Sequence, residues 1–444
     1  MIKKFIRLLN TNEIIKASIW LSLITCLIKV AGYVEKVLLA YFWGTNNDAD
    51  SYNAVFTFLI SILVFFREII EPGFLNTFLS VKHEAGEKAS WKVFFSTFWI
   101  LLPISLFISL TLFFYPDFIM QIILPGFTGE RFSLSSDLIK TASFACIFLI
   151  LSTLTNITLN AYKQFTSAII GDFVFKLAII FSILLLANSA GIYAAIYGMV
   201  SGAIIKLLVH ISALRENVRN EFFSFDSVYL KKIWMLSWPL LIGIIFSQIS
   251  SLVDNIFASY LQEGSISALS YAKKIVDLPV VIFPYALSIV LFPHFSQLKI
   301  EKNTLHIKYL LNNTLKWIAI IFIPLAIITF FLSEDIIKLI FQRGAFDAAS
   351  TLLTAKPLSV YSLGMLAFAV ETVLVIAYFG MSDTKTPVFT GIGCVILNIT
   401  ITWFMIHYVG YLAIAWGLVI SKTLKVIILL FLLKDKFKKD LSDV

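Results

Sequence analysis

The chain has 444 residues, of which 59% are hydrophobic and only 14% are charged. Soluble domains are roughly half apolar and a quarter charged, so this composition excludes a soluble globular protein and predicts helices that face lipid. The formal net charge of +8 would suit a nucleic-acid partner, but the basic residues lie in short clusters between apolar runs, as orientation signals do. We therefore predict a membrane protein without a nucleic-acid partner.

Twelve apolar stretches are long enough to cross a bilayer, whose core needs about 20 mostly apolar residues per helix. In chain order they are 17–43, 52–80, 93–115, 137–162, 167–188, 191–213, 233–261, 266–297, 312–333, 350–380, 386–408 and 411–433. The predicted fold class is therefore an all-α polytopic membrane protein with about 12 transmembrane helices.

The loops between these spans alternate in charge. Alternate loops are short or acidic, whereas the others carry the basic clusters, among them Lys3, Lys4 and Arg7 at the start, the segment 214–232, and Lys434, Lys436, Lys438 and Lys439 at the end. Because cytoplasmic loops of membrane proteins are enriched in Lys and Arg, both termini are predicted to be cytoplasmic. An even number of spans agrees with that orientation.

An internal repeat relates the two halves of the chain at an offset of 219 positions. The matching pairs include Glu35 with Asp254, Tyr41 with Tyr260, Gly198 with Gly417 and Lys206 with Lys425. We predict two six-helix lobes, 1–213 and 233–444, joined by a cytoplasmic linker at 214–232. Parallel repeats with a cavity between them suit a transporter that works by alternating access, although a duplicated membrane protein need not transport anything.

Ionisable residues occur inside several predicted spans, where they are costly and usually mark function. They are Lys29, Glu35, Lys36, Arg67, Glu68, Glu71, Asp172, Lys176, Asp254, Lys273, Lys274, Asp277 and Glu371. One interpretation is a net-positive polar cavity that holds a phosphate-bearing substrate. The alternative is snorkelling and internal ion pairs, which we expect for Lys422 and, through their i,i+4 spacing, for Asp172 with Lys176.

Enzyme signatures do not stand out in the sequence. The three cysteines each lie alone in an apolar run, the five histidines are scattered, and we find neither a phosphate-binding glycine loop nor a nucleophile elbow. We therefore predict a protein that is not an enzyme and has no cofactor, with a coupling ion, Na⁺ or H⁺, left open.

The clearest motif is 270–279, Ser-Tyr-Ala-Lys-Lys-Ile-Val-Asp-Leu-Pro, followed by 341–346, Phe-Gln-Arg-Gly-Ala-Phe, and by 383–387, Asp-Thr-Lys-Thr-Pro. These motifs resemble the MurJ/MviN lipid II flippase family of the MATE-like exporter superfamily. Trp43-Gly44 and Asp50 in the first half are similar to the family's pattern. The resemblance covers nearly the whole chain, whereas family members usually have fourteen spans and this sequence supplies twelve.

The resemblance implies a two-lobed fold and transfer of a polyprenyl-pyrophosphate-linked saccharide, with lipid II as first candidate, across a bacterial inner membrane. It implies a substrate site formed by Lys29, Glu35, Lys36, Asp50, Arg67, Lys273, Lys274 and Asp277. Glu35 stands where the family usually has Arg. It also implies a sodium site at Asp254 and Asn398, where Thr402 replaces an expected Asp. Expected partners are the lipid-linked substrate, membrane lipids and other proteins of cell-envelope synthesis.

Three alternatives remain open from sequence. One is a flippase for O-antigen, capsule or another lipid-linked oligosaccharide. Another is a cation-coupled drug antiporter, in which carboxylates would be expected to dominate the cavity. A third is a non-transporting scaffold or a membrane-embedded glycosyl-transfer enzyme, for which the loop 117–137 offers Glu130 without an obvious partner.

Overall fold

The computed structural model describes residues 13–218, 221–238, 241–301 and 303–442. The predicted orientation signals Lys3, Lys4 and Arg7 lie outside the described residues. The helices of the described part are α1 (Glu13–Trp43), α2 (Asn47–Phe114), α3 (Pro116–Ile123), α4 (Gly129–Ala161), α5 (Phe165–Ala190), α6 (Tyr193–Leu214), α7 (Ser227–Ser237), α8 (Leu241–Ser259), α9 (Ser265–Ile300), α10 (Thr304–Phe331), α11 (Ser333–Phe341), α12 (Ala348–Gly380), α13 (Lys385–Val409) and α14 (Leu412–Ser442).

Helix α2 is two helices joined at Gly86, whose backbone has φ 83° and ψ 178°. This conformation is open to glycine and strained for other residues, so the glycine fixes the break between a limb at 47–85 and a limb at 87–114. The two limbs contain the predicted spans 52–80 and 93–115. Among the described residues, eight helices are long and apolar enough to cross a membrane, and α2 counts once among them.

The other predicted spans also coincide with helices of the described residues, and the span 233–261 falls on the end of α7 and on α8. Two helices were not predicted at all, the short α3 and α11. Both follow the third span of their repeat, and both present one apolar face, with Met120 and Ile337 fully buried.

The chain divides into two compact units. Unit 1 comprises 1–39, 54–122 and 128–244, and unit 2 comprises 40–53, 123–127 and 245–444. The turn between α1 and α2 thus belongs to unit 2, although the helices on either side belong mainly to unit 1. The lobe boundaries predicted from the sequence stay a prediction.

Within unit 1, an aromatic cluster fixes both limbs of α2 against α4. Trp91 is fully buried, packs edge-on against Phe78 and Phe94, and donates a hydrogen bond from Nε1 to the hydroxyl of Tyr162 at 3.1 Å. Because lipid is as apolar as these side chains, close packing and hydrogen bonds hold membrane helices together.

Helices α5 and α6 of unit 1 approach each other through small residues. A Cβ built at Gly198 would lie 2.6 Å from the Cα of Ile179, and one at Gly202 would lie 2.9 Å from the carbonyl oxygen of Phe175. The Gly-x-x-x-Gly spacing puts both glycines on one face of α6, as in other closely packed membrane helices. This contact holds the charged residues of α5 and α6 side by side.

Candidate functional site

The residues predicted for the substrate site occur in both units. Unit 1 contains Lys29, Glu35, Lys36 and Arg67, and unit 2 contains Asp50, Lys273, Lys274 and Asp277. Lys29, Arg67 and Lys273 are exposed, Lys274 and Asp277 are half-buried, and Glu35, Lys36 and Asp50 are buried. Their part in substrate binding stays a prediction, but the local contacts of several are well defined.

Glu35 of α1 forms an ion pair with Lys176 of α5, whose Nζ lies 2.6 Å from Oε2. The ammonium of Lys176 also lies 4.5 Å from the centroid of the Phe56 ring, and that of Lys36 lies 5.7 Å from the same centroid. Aromatic faces attract cations, so the Phe56 ring helps to hold both ammonium groups. The acidic residue at position 35 is therefore neutralised from another helix.

The pairing expected between Asp172 and Lys176 is replaced by two ion pairs between helices. While Lys176 turns to Glu35, Asp172 Oδ1 lies 2.6 Å from Nζ of Lys206 on α6. Close packing of α5 on α6 brings the Lys206 ammonium to Asp172, which a spacing rule within one helix cannot anticipate.

His210, one turn after Lys206, was not identified from sequence. It is fully buried, its Nδ1 lies 3.0 Å from Thr155 Oγ1, and its Nε2 lies 3.2 Å from the carbonyl oxygen of Ala168. Since a carbonyl oxygen only accepts, the Nε2–H of His210 donates to Ala168, while Nδ1 contacts the Thr155 hydroxyl, which also lies 3.0 Å from the carbonyl oxygen of Ser152. A Cβ at Gly171 would collide with the ring, so the glycine makes room for it.

Asp50 caps the first turn of α9. Its Oδ2 accepts a hydrogen bond from the backbone N–H of Gly264 at 2.8 Å, and its Oδ1 accepts one from that of Ser267 at 2.7 Å. The first N–H groups of a helix lack partners within the helix and carry partial positive charge, so a buried carboxylate is stabilised there. Glu263 caps the start of α2 in the same way, since its Oε1 accepts a hydrogen bond from the backbone N–H of Asn47 at 2.9 Å.

The turn that carries Asp50 fits closely into the second repeat. We call residues 40–53 the latch. The N–H of Ala345 donates to the carbonyl oxygen of Tyr41 at 2.8 Å, the Tyr271 hydroxyl donates to that of Gly44 at 3.1 Å, and the hydroxyls of Thr45 and Ser350 lie 2.9 Å apart.

Two glycines permit this fit. Gly264 and Gly344 both have positive φ, +83° and +60°, and a Cβ at either would collide with a carbonyl oxygen of the latch. Beside them, the rings of Phe341 and Phe346 pack against Tyr271, with centroids 5.4 and 6.1 Å away. The sequence motif 341–346 thus forms part of the surface that contacts the latch.

A second polar group in unit 2 surrounds Asn398. Its Nδ2 donates to Asp254 Oδ1 at 3.4 Å and to Ser250 Oγ at 3.5 Å. Its Oδ1 is buried without a hydrogen-bond partner among the described residues. Gly417 leaves space beside Asn398 Oδ1 and Thr402 Oγ1, because a Cβ there would collide with both. Oxygen donors of this kind suit a hard cation, and the sodium site at Asp254 and Asn398 stays a prediction.

Glu371 on α12 binds two lysines of α14. Lys425 Nζ lies 2.6 Å from Oε1, and Lys422 Nζ lies 2.8 Å from Oε2 and 2.9 Å from Oε1. Lys422 thus forms an interhelical ion pair, in line with the snorkelling or internal ion pairing expected for it. The aligned lysines 206 and 425 were the sequence signal for this site, since each sits on the last helix of its repeat.

These observations define a polytopic all-helical membrane protein whose buried charges are matched between helices. The family model "Lipid II flippase MurJ" matches residues 39–443. The chain therefore belongs to the MurJ lipid II flippase family, whose members are transporters rather than enzymes, which confirms both the resemblance and the prediction of a non-enzyme.

Similar proteins agree with this assignment. The "Probable lipid II flippase MurJ" of Borreliella burgdorferi is 29% identical over 444 residues, covering 98% of this chain and 86% of the relative. The protein of the same description from Buchnera aphidicola subsp. Acyrthosiphon pisum is 28% identical, covering 94% and 83%.

Solved structures confirm the predicted MATE-like fold. The lipid II flippase MurJ in an inward closed conformation superposes with a TM-score of 0.83 at 24% identity, over 95% of this chain and 90% of that chain. A multidrug resistance MATE family transporter in an inward-facing conformation gives 0.80 at 12% identity, over 94% and 96%.

Proposed function

We propose that this protein moves lipid II, a polyprenyl-pyrophosphate-linked saccharide, from the inner to the outer leaflet of a bacterial plasma membrane by alternating access. The observation that carries the proposal is the match to the lipid II flippase family over residues 39–443. The internal repeat supports it, since two parallel bundles can expose one polar cavity to each side in turn.

The pyrophosphate is held by Lys29, Arg67 and Lys274. Lys29 and Arg67 are exposed within spans of unit 1, and Lys274 is half-buried on α9 of unit 2. Arg67 is oriented by Glu71, whose Oε2 lies 3.2 Å from its Nε, and a guanidinium has five N–H donors for bidentate contact with phosphate. The prenyl tail stays in lipid during transfer.

Release of the latch accompanies opening towards the outer leaflet. By the charge pattern of the loops, both termini are cytoplasmic and the latch lies at the outer end of the helices. Its contacts include hydrogen bonds and close backbone approaches, which can break and re-form as the protein opens and closes.

A cation gradient or the membrane potential drives the cycle. Asp254, Asn398 and Thr402 would hold a sodium ion, whose charge would stabilise the deprotonated Asp254. A proton on Asp254 is the other candidate for the coupling ion. Partners besides the substrate are membrane lipids and proteins of cell-envelope synthesis.

The decisive experiment depletes the protein in its own host and identifies the lipid-linked precursor that accumulates on the cytoplasmic leaflet. We expect lipid II. Accumulation of an O-antigen or capsule precursor would show that this precursor, and not lipid II, is the substrate. No accumulation of any lipid-linked precursor would overturn the proposed function. In the same strain, Lys274→Ala should abolish complementation while Lys299→Ala, in the last turn of α9, should complement fully. Membrane insertion of both variants is checked by immunoblot.

A further inference from the structure

The ion-pair cluster of Glu371, Lys422 and Lys425 has more positive than negative charge in direct contact. Both ammonium groups bind the one carboxylate, at 2.6 to 2.9 Å. Lys425 and Glu371 have buried side chains, whereas the side chain of Lys422 is 32% exposed. Asp277 of α9 attracts Lys422 at longer range. The single carboxylate in direct contact therefore leaves both ammonium groups able to take up a further anionic partner.

Unit 1 shows how the same position is balanced in the other repeat. Lys206 aligns with Lys425 at the 219-residue offset, and Asp172, its partner at 2.6 Å, aligns with Gly391. Asp172 on α5 thus neutralises Lys206 within unit 1. Unit 2 has no carboxylate at the aligned position, which is Gly391. In unit 2 the carboxylate comes instead from α12, and a second lysine accompanies it.

Gly391 leaves a space directly beside the lysines. A Cβ built at this glycine would lie 3.5 Å from Nζ of Lys425, and outside its own helix that nitrogen is the one heavy atom of the described residues within 4 Å. Gly391 is itself half-exposed. An anionic group from outside the chain can therefore approach the Lys425 ammonium from this side, as Asp172 approaches the aligned Lys206 ammonium within unit 1.

We infer that Lys422 and Lys425, oriented by Glu371 and fronted by Gly391, form a binding site for a phosphate group. Because both ammonium groups contact Oε1 of Glu371, they lie close enough together for the oxygens of one phosphate to reach both. Lysine binds phosphate as a point charge, and a glycine lets the anion approach the backbone closely. The phosphate comes from a membrane lipid or from solution.

The site goes beyond the proposed function, since none of these residues belongs to the predicted pyrophosphate site and binding is measured without transport. The test uses the full chain, purified in a zwitterionic detergent. Binding of inorganic pyrophosphate is followed by calorimetry, and binding of a short-chain polyprenyl phosphate by native mass spectrometry. Displacement of the lipid by inorganic pyrophosphate shows whether both sources use one site.

The key variant is Gly391→Asp, which installs the carboxylate of unit 1, and its matched control is Gly391→Asn, of the same size without the charge. We expect Gly391→Asp to weaken binding of at least one probe by about tenfold or more, as loss of one charged contact does, and Gly391→Asn to change it less than about threefold. Lys422→Gln, at a partly exposed side chain, should weaken binding to the same extent and serves if Gly391→Asp does not fold.

Three results would overturn the inference. The unaltered protein could bind neither probe, or Gly391→Asp and Lys422→Gln could both leave binding unchanged, or the Asp and Asn variants could weaken it equally, which would indicate a steric effect. Failure of lipid II transport in the depletion experiment would leave this binding result untouched, so the two proposals fail separately.

Discussion

The carboxylate of Glu35 accepts a hydrogen bond from the ammonium of Lys176 at 2.6 Å, which links α1 to α5 inside unit 1. Glu35 is fully buried, so this carboxylate depends on its partner for counter-charge. Removing one member of a buried ion pair leaves an uncompensated charge and typically costs about 3–5 kcal/mol.

Lys176→Met should therefore lower the thermal unfolding temperature of the purified protein clearly, and the double variant Glu35→Gln with Lys176→Met should recover most of the loss. Lys29→Met, at an exposed position of the same helix α1, is the control and should change stability little. A double variant no more stable than Lys176→Met alone would show that the pair is not an energetic unit.

Sequence reasoning located the helices but not the partners of their charges. Bilayer thickness fixes the length of a span, so hydropathy predicted stretches that coincide with helices of the described residues, and a repeated offset found Lys206 and Lys425. The partners Asp172 and Glu371 depend on which helices pack together, and α5 lies against α6 whereas α12 lies against α14. Spacing along one helix reports i,i+4 neighbours and is silent on such contacts.

The short helices α3 and α11 were missed for a different reason. Each has fewer than ten residues, 8 in α3 and 9 in α11, which is too short for a periodic pattern to emerge between two long apolar runs. A proline at the first position of α3 was the available signal, since proline favours the first turn of a helix. The latch likewise depends on backbone positions that sequence patterns do not specify.

Asp50 should stabilise the contact between the latch and the start of α9. Asp50→Ala leaves two buried N–H groups of α9 without their acceptor, and each unsatisfied group costs about 1–3 kcal/mol. The hydroxyls of Thr45 in the latch and Ser350 on α12 lie 2.9 Å apart. In a protein carrying Thr45→Cys and Ser350→Cys, oxidation should therefore form a disulfide between these two positions. We expect Asp50→Ala to reduce the yield of this cross-link strongly, and Asp48→Ala, in the same turn, to reduce it much less. Equal yields would contradict a clamping role for Asp50.

A side chain at Gly344 should collide with the latch, and this collision can be measured separately from backbone strain. Gly344 has φ +60° and faces the carbonyl oxygen of Tyr41, whereas Gly410 has φ +59° and nothing within 4 Å of its Cβ position. Alanine in this left-handed region costs roughly 1–2 kcal/mol at either site. Only Gly344→Ala adds a collision with the latch, so it should lower both the 45–350 cross-link and complementation, while Gly410→Ala should keep both. Similar losses in the two variants would assign the effect to strain alone.

Asp383, in the turn between α12 and α13, gives the protein a pH-dependent contact outside the membrane. Partial burial raises the pKa of its carboxyl, but this effect is outweighed by hydrogen bonds from the Lys436 ammonium and from the N–H and hydroxyl of Thr386, so that its pKa lies below the ordinary 3.8. The ammonium contact measures 2.8 Å. A carboxyl whose pKa is lower in the folded state stabilises that state fully above its unfolded pKa, and the contribution disappears as pH falls through the folded value.

Asp383→Asn should therefore lower the thermal unfolding temperature at pH 7, and its difference from the unaltered protein should shrink steadily as the pH is taken below about 4. Lys436→Gln should show the same dependence on pH, because it removes the other half of the contact. The control is Asp435→Asn, which changes a neighbouring carboxylate of α14 and should show little difference at either pH. The difference in unfolding temperature between Asp383→Asn and the unaltered protein could instead stay constant down to the lowest pH. That result would contradict a role for the charge of Asp383 and would assign its effect to its shape as a helix cap.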